Sequence, residues 1–220
     1  MPRLLPAVLI VATVACARGE SPTTDSSVAA VPPASPNVVT IVARDFAFEA
    51  PDTIPAGMTT LQLVNAGPDL HHALLLRIGE GKTLADFTAA VQGMKPGEPP
   101  PSWLIDEGGP NPPAVGDTVR VTQDLAPGNY ALVCFVDTPD HIPHVAKGMV
   151  RPLTVRANTT PSAPPPTEDV KVVMTDYAWA VTPALSAGRH VLRFDNAAAQ
   201  SHEVLIVRLD AGKTVDDFAK

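Results

Sequence analysis

At 220 residues the chain has room for one or two domains and for a real hydrophobic core. Twenty-five prolines and few aromatics favour strands and loops over long helices. The formal net charge of −7 argues against nucleic acid as a partner, because phosphate binding needs a basic surface.

The chain opens with MPRLLPAVLIVATVACARGE, one early arginine followed by an apolar run over 4–16. That run is too short to span a bilayer as a helix and reads as an export signal, residues 1–16. Two forms of cleavage fit it. TVAC resembles a bacterial lipobox, with Thr13 where leucine is usual, and would leave Cys16 carrying a lipid that anchors the protein to a membrane. Ala15-Cys16-Ala17 also has the small-x-small form of ordinary signal cleavage. Either form places the protein outside the cytoplasm, on the periplasmic or extracellular side. Cys134, the only other cysteine, then has no internal disulfide partner in an oxidising compartment, so it is expected to be buried, reactive or metal-bound.

Residues 17–37, rich in Ser, Thr and Pro, read as an extended tether. Residues 38–156 have the size of one domain. Within them the alternating runs VVTIVA, TTLQLVN, HALLLRI, DTVRVTQDL, NYALVCFV and MVRPLTV predict strands separated by Gly and Pro clusters. One helix is expected in TLADFTAAVQGM, capped by Thr83, with Leu84, Phe87 and Val91 on one face. A Pro/Gly-rich insertion, KPGEPPPSWLIDEGGPNPP, comes next. Such spacing predicts an all-β protein, an antiparallel β-sandwich with one short inserted helix.

A second Pro-rich linker occupies 157–169, and the segment after it repeats the segment after the tether. Residues 39–87 and 170–218 align at a constant offset of 131 without a gap, and 17 of the 49 pairs are identical. They include Asp45/Asp176, Asn65/Asn196, His71/His202 and GKT in both copies. This reads as a tandem duplication whose second copy, 170–220, is incomplete, so a longer native chain is expected.

The stretch CFVDTPDHIPHVAKGM, together with the upstream NAGPDLHH, concentrates the donors that soft metal ions prefer. PGNYALVC and PHVAKGMVRPLTV resemble the C-terminal signature of the cupredoxins, the plastocyanin-like blue copper proteins. Tyr130 and Cys134, Pro143 and His144, Gly148 and Met149, and Thr154 and Val155 carry the resemblance. It implies a Greek-key sandwich and one type 1 copper, with His71, Cys134 and His144 equatorial and Met149 axial. Asn65 would brace the His71 loop. His72 and His141 are the alternative ligands. His71 is preferred because it recurs as His202 whereas His72 becomes Glu203, and His144 because it keeps the preceding proline and the distance to Met149. Nine residues separate Cys134 from His144, a longer loop than the two to four of plastocyanin-like proteins.

The function implied is one-electron transfer to a redox partner protein, not catalysis. The alternatives are an extracytoplasmic copper carrier or buffer and a metal-free binding or structural module. The chain contains no G-x-S-x-G, no H-E-x-x-H and no phosphate-cradling glycine loop.

Overall fold

The computed structural model describes residues 34–95 and 98–218. The signal, Cys16 and the first part of the tether lie outside the described residues. Among those described, no helix is long and apolar enough to cross a membrane.

The first domain consists of β1 (Asn37–Arg44), β2 (Ala47–Glu49), β3 (Thr53–Pro55), β4 (Gly57–Asn65), β5 (Leu74–Ile78), α1 (Leu84–Gly93), β6 (Leu104–Asp106), β7 (Thr118–Leu125), β8 (Gly128–Val133) and β9 (Val150–Arg156). The strands form two sheets, β2-β1-β4-β7 and β3-β9-β8-β5-β6. Alternation decides what each strand buries. Val39, Ile41 and Ala43 on β1, and Leu61 and Leu63 on β4, face Leu75, Tyr130, Leu132, Leu153 and Val155 of the other sheet in one core.

The strand β8 is buried on both faces. Its opposite set, Ala131 and Val133, packs with Leu76 and Ile78 of β5 and with Phe87 of α1, so the helix forms a third layer over the second sheet. Thr83 caps α1 in a reciprocal box with Asp86.

The sandwich is mixed, not antiparallel. β1 runs parallel to β4, and β3 parallel to β9. The cause is the path of the chain: after the β1–β2 hairpin it crosses to the edge of the second sheet as β3 and returns as β4 in the direction of β1. The short strands β2, β3 and β6 add to those expected from the sequence, and Asn37, expected in the tether, opens β1.

The linker over 157–169 is docked rather than free. Met58 N–H donates to Ser162 Oγ at 2.7 Å, and Ala163 is buried. Beyond it, β10 (Val170–Thr175), β11 (Ala178–Thr182) and β12 (Leu192–Asn196) form a sheet of order β11-β10-β12, and a single turn, α2 (Val215–Phe218), comes last. β10 pairs antiparallel with β11 and parallel with β12, as β1 does with β2 and β4. The register is also the same at the 131-residue offset: Val39 opposes Leu61 and Val170 opposes Leu192, while Val42 opposes Glu49 and Val173 opposes Ala180.

Candidate metal centre

Three segments converge at one end of the sandwich. The first is the loop between β4 and β5, which carries His71. Asn65, buried at the end of β4, accepts from Gly67 N–H at 3.1 Å through Oδ1. Its amide donates to the carbonyls of Asp69 and Pro113, at 2.9 and 3.2 Å. One side chain thus ties the His71 loop to itself and to the end of the insertion.

The second segment is the end of β8. Tyr130 fixes its start: the phenol donates to Ala126 O at 2.7 Å, and burial first, then Glu107, pushes its pKa up to about 12. Four residues on, Cys134 leaves the strand with its thiol buried.

The third is a 3₁₀ turn, His144–Lys147, ended by Gly148 in the left-handed conformation, φ 100°. Backbone bonds hold this turn against the cysteine, from Val145 N to Cys134 O at 2.8 Å and from Cys134 N to Met149 O at 3.3 Å.

The extra residues between Cys134 and His144 form a pinned bulge. Asp137 bridges Pro143, Thr138 N–H donates to Ile142 O at 3.0 Å, and His144 N–H donates to Val136 O at 2.9 Å. The added length is absorbed outside the site, in keeping with the slow growth of loop-closure cost. His141 sits at the tip of the bulge with φ 60° and an exposed side chain, whereas His144 points inward and is buried.

The result is a compact donor set. His71 Nδ1 lies 3.1 Å from His144 Nδ1, and Cys134 Sγ lies 3.5 Å from the same His144 nitrogen. The ligating atoms of His71, Cys134 and His144 all fall within 4.8 Å of one another, and all three residues are buried. Among the described residues no other group of His, Cys, Asp and Glu does this. Met149 is buried in the same cluster as Cys134.

His72 turns the other way. It precedes β5 rather than lying on it, and its Nε2 accepts from Phe135 N–H at 2.6 Å. It therefore buttresses the residue after Cys134 and leaves the donor set to His71.

Burial disfavours the charged forms of His144 and Cys134. Burial, then the neighbouring His71, lowers the pKa of His144. Burial raises that of Cys134, partly offset by backbone hydrogen bonds at Val136 and His72. Two imidazoles and a thiol are donors that would suit a soft ion. Two histidines and one cysteine are the equatorial set of mononuclear blue copper centres, so the residues present fit a single copper.

Two features escaped the sequence reading. Asp45 Oδ1 lies 3.0 Å from His71 Nε2, and Phe46 packs edge-on against the His144 ring at 5.2 Å between centroids. The recurrence of an aspartate 26 residues before a histidine at the 131-residue offset was the available signal for the first, Asp45 to His71 and Asp176 to His202.

A cluster in the second region is superficially hydrolytic. Asp169 Oδ2 lies 2.7 Å from His190 Nδ1, and Ser186 Oγ lies 3.3 Å from His190 Nε2. That Nε2 is also 3.0 Å from the Ser186 carbonyl, which can only accept, and the bond to Asp169 raises the His190 pKa. With both ring nitrogens facing acceptors, neither presents a lone pair to take a serine proton, so this is a surface hydrogen-bond cluster.

The buried His-Cys-His set is the donor set that the resemblance to cupredoxins implies. No protein-family model and no curated protein matches the chain. Among solved structures it is similar to dithionite-reduced auracyanin from Roseiflexus castenholzii, at 23% identity over 56% of this chain and 98% of that one, TM-score 0.38. It is similar also to auracyanin A of Chloroflexus aurantiacus, described as a blue copper protein, at 25% identity over 56% and 100%, TM-score 0.34. Rusticyanin from Thiobacillus ferrooxidans aligns at 19% identity over 56% and 79%, TM-score 0.34. These TM-scores are low, and the functional reading rests on the donor geometry itself.

Proposed function

We propose that the protein is an exported electron carrier holding one type 1 copper through His71, Cys134 and His144, with Met149 as a weak axial ligand. The observation that carries this is the buried His-Cys-His set with its donor atoms within 4.8 Å. When bound, copper in such a site supplies a one-electron couple whose potential the thiolate and axial sulfur tune. The protein's part is to hold the donors rigidly in a dry pocket, so that little has to move between oxidation states.

Burial of every equatorial donor favours electron transfer over copper carriage. A carrier passes its ion by ligand exchange, which needs an exposed donor, and neither histidine offers one. It also fits a carrier of electrons better than a catalyst, whose metal needs a position open to substrate. The partner is a redox protein outside the cytoplasm. Cys16 carries the lipid that keeps the protein at the membrane. We read the sandwich as the Greek-key cupredoxin type over 38–156, and residues 170–220 as the beginning of a second copy. Support for that second copy comes from the common register of β1 and β10 with their neighbours.

Copper loading tests the proposal. Wild-type protein should retain about one copper and show an intense visible charge-transfer band that Cys134→Ser abolishes. His71→Ala and His144→Ala should lose the band, while His72→Ala and His141→Ala keep it. Met149→Leu should hold copper at an altered potential. A wild-type protein that stays colourless and copper-free after dialysis overturns the proposal.

A further inference from the structure

We infer that Asp45 is a positioning residue of the metal centre, fixing the tautomer and orientation of His71 so that its Nδ1 is presented to the ion. The inference rests on the proposed copper site and adds to it a residue outside the ligand set.

An ionised carboxylate can only accept a hydrogen bond. With Asp45 Oδ1 at 3.0 Å, His71 Nε2 therefore carries the ring proton. In a neutral imidazole the lone pair then sits on Nδ1, the nitrogen that faces His144 and the thiol. The arrangement is built rather than incidental. Asp45 lies in the tight turn between β1 and β2, where Phe46 takes φ 58°, a conformation uncommon outside glycine. That one turn reaches both histidines, Asp45 gripping His71 and Phe46 packing on His144.

Gly67 lets the grip close tightly. A Cβ there would lie 2.6 Å from His71 Nε2, so that the ring would have to shift, and 3.0 Å from Asp45 Oδ1, a tight contact. The second copy repeats the device, with Tyr177 at φ 65° and Asp176 Oδ1 to His202 Nε2 at 3.3 Å, the longer distance accompanying Ala198 in place of Gly67.

A carboxylate behind a ligating imidazole raises its basicity and adds nearby negative charge. Both favour the doubly charged metal over the singly charged one, so Asp45 lowers the reduction potential.

The test uses the full-length wild type, Asp45→Asn and Asp45→Ala. In the copper-loaded protein Asp45→Asn should keep the band and shift the potential upward. Asp45→Ala should weaken copper binding by about 10- to 100-fold. Imidazole nitrogen NMR of the metal-free wild type should show His71 protonated on Nε2, and thermal melts of the metal-free variants check that they fold. A merely structural aspartate would change the melts and leave potential and affinity at wild-type values, which overturns the inference. So does a His71 protonated on Nδ1 in the metal-free wild type. Should wild type bind no copper, the copper reading fails by itself, while the tautomer still decides the role of Asp45.

Discussion

Residues 74–78, LLLRI, and residues 205–209, LIVRL, lie at the 131-residue offset and are almost equally apolar. The first is β5, hydrogen-bonded between β6 and β8. The second forms no strand, and no strand among the described residues pairs with it. A run of apolar residues supplies β propensity, but the strand exists only where ladders and a covered face reward it. The local hydrogen bonds behave differently. Asn65 and Asn196 donate alike to the carbonyl four residues on, and Thr83 and Thr214 cap alike with Asp86 and Asp217. Contacts made within residues 39–87 recur within 170–218, the parallel pairing and the Asp–His contact included, whereas those that need residues further along the chain, as β5 needs β8, do not.

The largest expected difference is in autonomous folding. Residues 38–156 contain both sheets and the helix, so that fragment should melt in one cooperative transition. The fragment 170–220 has Trp179, Val181, Phe194 and Ile206 exposed, and should aggregate or show no transition. Denaturant melts of the two fragments decide this, and a sharp reversible transition in the shorter one breaks the comparison.

Paired substitutions sharpen it next. Leu75, 0% exposed, and Ile206, 63% exposed, are 131 positions apart. Leu75→Ala should destabilise the whole protein by about 2–5 kcal/mol, as lost transfer energy plus a cavity. Ile206→Ala should stay within about 0.5 kcal/mol, as for other surface changes. Equal costs in equilibrium unfolding would mean that the 205–209 segment is covered in solution.

The same division explains what was legible in the sequence. The six longer strands, α1 and its cap arise from period and capping residues, which are local. The convergence of His71, Cys134 and His144 was legible only because their spacing matched a known signature, since the residues lie on three separate segments. Asp45 was not legible from its neighbours, because its partner is 26 positions away across a turn. The parallel pairing of β1 with β4 escaped for a related reason. Direction is set by the path of the chain between the two strands, and no window around either strand encodes it.

The smallest expected effect is a difference in the sign of pH dependence between the two regions of the metal-free protein. In the first domain, burial lowers the pKa of His72 and His144 from the ordinary 6.5. The unfolded chain therefore binds protons that the folded one refuses, and stability falls as pH drops below about 6.5. Burial raises Cys134 above its ordinary 9.0, so the unfolded thiol ionises first and stability also falls as pH climbs past about 9. The optimum lies between those limits. In the second region the bond to Asp169 raises the pKa of His190. Its contribution is fully present below about 6.5 and is lost as pH rises through the raised value. Being at the surface, this pair is screened and its effect is small. Amide hydrogen exchange, corrected for intrinsic rates, separates the regions. Between about pH 7.5 and about pH 5.5, either side of the ordinary histidine value, protection in β8 should fall while that in β10 holds or rises. Parallel losses in both would mean that His190 does not keep its proton in the folded chain, and the opposition between the two regions would fail.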